Sequence, residues 1–181
     1  MQSICYKELE KAEINIDLFK NFNRYQDVRK CWRKENGKWT LKDIAFIEQW
    51  GLEEFEYLIT CLQNTIKTGG KVFGAFDNNA LVAFASVENE FFGSHSEYLQ
   101  LSCIHTSYES RGKGIGKILF SIMSKIAKDM GAQKLYISAH SSEESQAFYK
   151  KMGCVEALQY NAKLQDAEPY DCQLEFSLEE L

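Results

Sequence analysis

The 181-residue chain is 45% hydrophobic and contains a single proline, which is typical of one folded domain and excludes a disordered chain. Its net charge of -5 argues against nucleic acid as the main partner, because Lys and Arg dominate binding to phosphate backbones. No apolar run reaches the length of a membrane span and no signal-peptide core opens the chain, so we expect a soluble, cytoplasmic protein that does not bind a membrane.

The six cysteines give no ligand pattern. They form no Cys-x-x-Cys pair and no Cys/His spacing of the kind that holds zinc. We therefore expect reduced thiols and no metal site.

The first part of the chain carries one strong signal, a hairpin. Ile14 and Ile16 alternate as residues of a short strand do, and residues 19–28 suggest a helical turn or a loop. The dipeptide Asn36-Gly37 separates the arms 28–34 and 38–44, which is the strongest short-range indication of a β-hairpin.

A helix and two strands follow. Residues 52–67 place apolar side chains at helical spacing, and the glycines at 69–70 end the helix. The strands at 71–76 and 81–87 are joined by the turn-forming residues 77–80.

The second half of the chain predicts a crossover unit. It consists of a strand at 97–106, an amphipathic helix at 113–130 and an apolar strand at 134–140. Two strands connected through one helix lie parallel with a right-handed connection.

A second helix at 142–152 and closing strands at 155–160 and 170–178 complete the chain. Without repeats or a linker, the sequence predicts a single α+β domain over residues 1–181, in which residues 20–70 form a cap over the site.

The turn between the strand and the helix of the crossover unit predicts an anion site. Glycines at alternate positions let the backbone approach a ligand, and the helix directs unpaired N–H groups and its positive dipole end at the same place. Lysines add full charge, which suits a pyrophosphate. The residues are Arg111, Gly112, Lys113, Gly114, Ile115, Gly116 and Lys117.

Two better-known phosphate motifs do not match this turn. A P-loop needs Ser or Thr after Gly-Lys, and here Gly114 and Ile118 stand in those places. The dinucleotide motif needs a final glycine that would fall on Lys117 or Leu119. A plain strand-to-helix turn remains the alternative.

The chain resembles the GNAT superfamily of acyl-CoA-dependent N-acetyltransferases. The family pattern Q/R-x-x-G-x-G/A is matched by Arg111, Gly114 and Gly116. The later pattern N-x-x-A-x-x-x-Y-x-x-x-G-F/C is met by Ser142, Ser145, Tyr149, Gly153 and Cys154, with serine where the family more often has asparagine. The resemblance covers residues 70–178 well and the first 70 loosely.

This resemblance implies a mixed, mostly antiparallel sheet with a central splayed pair of parallel strands, flanked by helices. Acetyl-CoA would lie in the wedge as acyl donor. The strand residues Ile104, His105 and Thr106 would contact the pantetheine arm and the thioester, and residues 111–117 would bind the pyrophosphate. Ser142 and Phe148 would also contact the cofactor.

The resemblance also implies a reaction, the direct attack of an amine on the thioester. Tyr149 would be the general acid. The positions that often carry a catalytic glutamate hold Gln100 and Ile137, so the general base stays open between water ordered by Gln100 and another side chain. The candidates are Glu88, Glu90, Glu97, His105, His140 and Asp171.

The acceptor side is expected at the hairpin and the loop before Tyr170, with Trp32, Gln100 and Tyr170 contacting substrate. The favoured function is acetylation of a primary amine on a small molecule. Acetylation of a protein N-terminus or lysine, and a catalytically silent acyl-CoA sensor, are the alternatives. The oligomeric state is open, a homodimer included.

Overall fold

The structure is a computed structural model, and it describes residues 4–179. The first strand, β1 (Cys5–Glu8), is followed by two short 3-10 turns at Lys11–Glu13 and Ile16–Phe19. Ile14 is fully buried between these turns. The strand expected around Ile14 and Ile16 is therefore wrong, because the apparent alternation comes from a core residue placed between two turns.

The predicted hairpin is present as β2 (Gln26–Glu35) and β3 (Lys38–Glu48). Asn36 and Gly37 both have positive φ, at +50° and +77°, as the tight turn between twisted strands requires. The hairpin is a separate two-stranded sheet. It begins inside the stretch 19–28 for which a helical turn or loop is predicted, and that interpretation is wrong from Gln26 onward.

Helix α1 (Leu52–Lys67) packs one face on the sheet that follows. Its first turn is closed by the carboxylate of Glu54, which accepts the N–H of Gly51 at 2.8 Å. The core between α1 and the sheet is rich in aromatic rings in mutual contact. Its buried members include Phe19, Phe22, Phe55, Leu58, Leu62 and Phe84.

The main sheet has seven strands in the order β1-β4-β5-β6-β7-β9-β8. Its remaining strands are β4 (Lys71–Asp77), β5 (Ala80–Val87), β6 (Tyr98–Thr106), β7 (Lys134–Ala139), β8 (Val155–Glu156) and β9 (Cys172–Ser177). All neighbours are antiparallel except β6 and β7, which are parallel. The expected mixed sheet with one central parallel pair is confirmed.

Helix α2 (Ile115–Asp129) covers the sheet face opposite α1. Leu119, Met123 and Ala127, four residues apart, are all completely buried there. Helix α3 (Glu143–Met152) follows β7 and ends at Gly153, which has a positive φ of +92°. Helix α2 follows β6 and helix α3 follows β7, and the site forms between the ends of these two strands.

The last segment differs from the sequence expectation. Only Val155 and Glu156 of the expected strand 155–160 are extended, and a short helix, α4 (Ala162–Ala167), follows. The side chain of Asn161 accepts the N–H of Leu164 at 3.2 Å and so caps this helix. A capped helix of only six residues has too little apolar periodicity to be found in a sequence.

Candidate active site

The two parallel strands separate after three residues. Tyr98 to Gln100 of β6 pair with Lys134 to Tyr136 of β7, and no later pair forms between them within residues 4–179. A cleft of about 650 Å³ occupies the gap. Its walls come from β6, β7, the start of α2, α3, and the segments that flank the hairpin.

One side of the cleft is the edge of β6. Ile104, His105 and Thr106 line it, and each of them has its β-sheet partner on β5. Their other edge faces the gap, where backbone groups are available to a ligand. The sequence-predicted strand residues are therefore together at one wall.

The glycine turn forms one end of the cleft. Gly112 and Gly114 have φ of +73° and +80°, and a Cβ at either position would meet no atom within 4 Å. Gly114 is also the N-cap of α2, whose first N–H groups have no helical partner. This end can hold an anionic group by main-chain donors and the helix dipole.

The side chains of the turn divide into two sets. Lys117 and Arg111 line the cleft, whereas Lys113 is exposed and lies outside the lining. The Arg111 Nε donates to the carbonyl of Thr106 at 3.2 Å, and its guanidinium lies 5.6 Å from the ring of Tyr108. Arg111 thus braces the loop while its charge remains at the cleft. Ile115 and Gly116 complete this wall.

Helix α3 brings Phe148 and Tyr149 to the opposite wall, with their ring centroids 5.2 Å apart. Tyr149 is 9% exposed, and burial raises the pKa of its hydroxyl, with Cys154, Cys103 and Asp171 contributing in the same direction. The hydroxyl is therefore protonated at neutral pH. It forms no hydrogen bond to any residue in the described range 4–179, so it is available to a ligand in the cleft.

Ser142 has a different position from the one that the resemblance implies. It is 1% exposed and does not line the cleft. Its hydroxyl accepts from the Gln26 side chain at 3.1 Å and from the N–H of Ser145 at 3.3 Å, so it caps α3. The Ser142 hydroxyl is thus bonded at the helix terminus, and the structure does not place it among the residues that line the cleft.

The part of the cleft lined by the hairpin segments, by the start of α3 and by the chain before β9 is mixed in charge. Its lining residues are Arg24, Gln26, Glu48, Trp50, His140, Glu144, Glu168 and Asp171. Arg24 pairs with Glu48 at 2.9 Å and lies over the Trp50 ring at 5.0 Å. This region contains four carboxylates, the guanidinium of Arg24 and the imidazoles of His140 and His105. We call it the acidic end of the cleft.

His105 is neutral in this setting. Burial lowers its pKa to about 3, and the positive charges of Arg24 and Arg111 act in the same direction. Its ring lies 5.0 Å from that of Trp50 and 5.4 Å from that of Phe84. The side chain therefore contributes to packing beneath the cleft and adds no charge there.

The three residues expected to contact substrate lie outside the cleft lining. Trp32 is part of the hairpin, and its main-chain N–H donates to the carbonyl of Ser141 at 2.8 Å. Gln100 belongs to the last paired row of β6. Tyr170 is 68% exposed, and the Arg33 guanidinium lies 4.4 Å from the centre of its ring. Both residues line a second surface hollow beside the cleft.

Sequence reasoning missed Arg24, Glu48 and Glu144 as cleft residues. Each depends on how the hairpin and the start of α3 are placed against the sheet, which no local pattern encodes. The Asn-Gly turn fixes the register of the hairpin only as far as Lys30, because a β-bulge between Val28 and Lys30 shifts the pairing and brings Gln26 opposite Glu48. Neither this shift nor the side of the hairpin that faces the cleft could be predicted from the turn.

The acetyltransferase (GNAT) family profile matches residues 25–154. The chain belongs to this family of acetyltransferases. No curated protein gives a significant sequence match.

Solved structures share the fold at low identity. A protein assigned as a streptothricin acetyltransferase from Bacillus anthracis, solved with acetyl coenzyme A, has a TM-score of 0.70 and 15% identity over 96% of this chain and 95% of its own. Nourseothricin acetyltransferase gives 0.67 and 16% over 96% of each chain. The PaiA N-acetyltransferase of Thermoplasma acidophilum, in complex with coenzyme A, gives 0.61 and 18% over 97% and 99%.

None of the helices within the described part of the chain is both long and apolar enough to cross a membrane. No group of three or more His, Cys, Asp or Glu within residues 4–179 is arranged to hold a metal ion.

Proposed function

We propose that this protein transfers an acetyl group from acetyl-CoA to a primary amine of a small molecule, by direct attack while both substrates are bound. The observation that carries the proposal is the cleft between β6 and β7. It runs from an anion-binding glycine turn, past an unpaired strand edge, to an acidic end. A donor with a diphosphate and an acceptor with a cationic amine match these two ends.

Several contacts support acetyl-CoA as the donor. The turn at Gly112 and Gly114 offers main-chain N–H groups without a Cβ in the way. Arg111 and Lys117 add positive charge. Related folds solved with acetyl coenzyme A or coenzyme A agree with this assignment.

Direct transfer is favoured over an acetylated enzyme. Cys103 is the cysteine that lines the cleft, and burial raises the pKa of its thiol to about 12. Since the thiolate is the nucleophilic form, this side chain is inert at neutral pH. An incoming amine that meets the thioester in the cleft needs no protein nucleophile.

Main-chain donors and Tyr149 would assist the acyl transfer. Backbone N–H groups on the free edge of β6 are suited to the oxyanion that forms at the thioester carbonyl, and such donors contribute about 3 to 4 kcal/mol. Tyr149, protonated and unpaired, would give its proton to the departing thiolate. Because a thiol of pKa roughly 8.5 is already a fair leaving group, this donation aids the reaction without being essential.

The hairpin supports a small acceptor. It is joined to the start of α3 by the Trp32 N–H, by a bridge between Cys31 and Ser142, and by the Gln26 side chain. These bonds fix the hairpin as a wall beside the acidic end. An extended peptide would need an open path there, whereas a small amine would not. Acetylation of a protein N-terminus or lysine is the alternative outcome.

The test is an amine screen with acetyl-CoA, in which free thiol is followed and products are identified by mass. The panel contains diamines, amino acids, amino sugars and lysine-containing peptides. Turnover confined to small amines supports the proposal, and turnover confined to peptides transfers the function to protein acetylation. Acetyl-CoA binding without turnover on any member identifies a silent acyl-CoA sensor.

A further inference from the structure

Asp171 lies at the acidic end of the cleft. It immediately precedes β9, the antiparallel partner of β7, and so lies at the carboxyl end of β7, next to the Ala139–Cys172 pair. It lines both the cleft and the neighbouring surface hollow, and forms part of the wall between them. Its own N–H is fixed by the carbonyl of Glu168 at 3.0 Å.

A chain of hydrogen bonds leads through the sheet to this carboxylate. The Asn161 N–H donates to the Tyr136 hydroxyl at 2.8 Å, which donates to Gln173 Oε1 at 2.7 Å. The Gln173 amide then donates to Ser138 Oγ at 3.0 Å, and Ser138 donates to Asp171 Oδ2 at 3.1 Å. Every bond has the same direction, and Tyr136 and Gln173 are almost completely buried. The array therefore fixes one carboxylate oxygen.

The other oxygen, Oδ1, has no hydrogen-bond partner in residues 4–179, and no cation there forms an ion pair with Asp171. Glu48, Glu168 and His140 share its end of the cleft, Tyr149 stands on the α3 wall, and Cys172 follows it in the chain. Arg33 approaches from the hollow. Burial raises the pKa of Asp171 to about 6, against the hydrogen bond from Ser138 and with the repulsion of Glu168 and Glu48. The carboxylate is thus a stronger base than an exposed one and is still ionised at neutral pH.

Four of the other candidate bases are unsuited to the role. His140 accepts the N–H of Ser142 on Nδ1 at 3.2 Å, so its neutral ring carries the proton on Nε2 and can only donate there. Glu97 accepts from the His95 N–H and from Gln159, and Glu88 accepts from Thr65 and Ser102. Neither glutamate lines the cleft, nor does Glu90.

We propose that Asp171 is the general base of this acetyltransferase and that Ser138 is its positioning residue. The inference rests on the proposed function. Oδ1 accepts a proton from the ammonium of the bound acceptor, and the neutral amine nitrogen then forms its bond to the acyl carbon. The nitrogen of this tetrahedral adduct releases its second proton to water, the carbon–sulfur bond breaks, and the sulfur keeps the electron pair and takes a proton from Tyr149. Asp171 then passes its proton to water, and Tyr149 regains one from water. The sum converts an ammonium and a thioester into an amide, a thiol and one free proton.

The test compares pH profiles of kcat/KM for wild type, Asp171→Asn, Ser138→Ala and the control Asp166→Asn. Asp166 is an exposed carboxylate on α4, outside the cleft lining. Wild type and the control should lose activity below about pH 6, as the base becomes protonated. Asp171→Asn should fall by about 10²- to 10⁴-fold and lose this acid limb.

Ser138→Ala separates positioning from structure. Its hydroxyl donates to the charged carboxylate, so its removal should raise the pKa of Asp171 and move the acid limb to higher pH. Activity at alkaline pH should approach that of wild type, a shift that a merely structural defect would not produce. Titration of the Asp171 carboxyl by ¹³C NMR, assigned by its absence in Asp171→Asn, should give the same pKa in the protein alone.

The outcomes distinguish the two proposals. Turnover of an amine by wild type, with an unchanged acid limb and rate in Asp171→Asn, overturns the role of Asp171 and leaves the acyl transfer standing. An Asp171 resonance that titrates near pH 4 also overturns it, since that is the ordinary range of an exposed aspartate. Wild-type protein that acetylates no amine overturns the proposed function, and the base falls with it.

Discussion

Gln100 of β6 and Tyr136 of β7 are the last residues that these parallel strands hold in register. Beyond this pair, β6 keeps its antiparallel partner β5, and β7 keeps β9. Each strand therefore remains anchored on one side while its other edge is released. Both carboxyl ends open into the same cleft, which is where parallel strands commonly present ligands.

Gly114→Ala should weaken acetyl-CoA binding. The new Cβ would project into the open space at the turn, where the diphosphate is proposed to lie. Gly37→Ala is a matched control, since its φ of +77° is close to the +80° of Gly114 and it also has no atom within 4 Å. Both variants should lose about 1–2 kcal/mol of unfolding free energy through left-handed strain. Only Gly114→Ala should raise the KM for acetyl-CoA. Equal KM values in the two variants would count against an anion site at the glycine turn.

Tyr149→Phe should lower kcat by roughly 10²-fold, the lower end of the range for a lost proton donor. Because burial raises the pKa of Tyr149, its hydroxyl stays protonated through the assay range, and the substitution should leave the shape of the pH profile below pH 9 unchanged. Steady-state kinetics with saturating substrates measures the effect. Tyr57→Phe, at an exposed position on α1, serves as the control. An unaltered kcat would remove the acid role.

Trp50→Leu should raise the KM of the amine by up to about tenfold, with little change in the KM for acetyl-CoA. The Trp50 ring lines the acidic end and also lies beneath Arg24. Aromatic contact with a cation contributes about 0.5–2 kcal/mol. Trp32→Leu is the comparison, because Trp32 lies outside the cleft lining. A larger effect at Trp32 than at Trp50 would restore the substrate contact first expected for it.

Glu175→Gln should destabilise the fold by about 2 kcal/mol, as expected when a charged hydrogen-bond acceptor is lost. Glu175 is 5% exposed, pairs with Lys134 at 2.7 Å, and accepts the Tyr98 hydroxyl. Burial raises its pKa, but the bonds from Lys134, Tyr98 and Leu158 outweigh burial and lower it. Its stabilising contribution is therefore complete above the unfolded pKa of about 4.3 and disappears as the pH falls through the lower folded value.

Urea unfolding at pH 7 and at pH 3 measures this contribution. The difference between wild type and Glu175→Gln should shrink at the lower pH. Glu8→Gln is the control, since the Glu8–Lys71 pair is exposed and should contribute at most about 1 kcal/mol. A smaller loss for Glu175→Gln than for Glu8→Gln at pH 7 would refute the argument.

Cys103→Ala should retain acetyl transfer. The raised pKa of this thiol leaves it protonated, so the protein should gain no acetyl adduct when incubated with acetyl-CoA alone. Intact-protein mass spectrometry checks the adduct, and an amine assay checks turnover. A stable adduct that disappears in Cys103→Ala would indicate a two-step reaction through the enzyme.

Local patterns predicted the crossover unit and the glycine turn because these depend on neighbours in the chain. The stripe on α2 and the positive φ of Gly114 are both encoded within a few residues. Ser142 shows the limit of such patterns. Its match to a family motif implied a cofactor contact, yet the helix end and Gln26, distant in sequence, occupy its hydroxyl. Likewise, the setting of Asp171 depends on β9 pairing with β7 and on a serine 33 residues earlier.

The β2–β3 hairpin forms a sheet of its own, and the seven-stranded sheet carries the glycine turn. Of the residues at the acidic end, Gln26 and Glu48 lie on the hairpin, whereas His140, Glu144 and Asp171 lie outside it. The hairpin is bonded to the rest of the protein at the start of α3 and at Glu156. Under the proposed function, exchanges on the hairpin should alter which amine is accepted and leave the glycine turn unchanged, which makes the hairpin a route to new acceptor preferences.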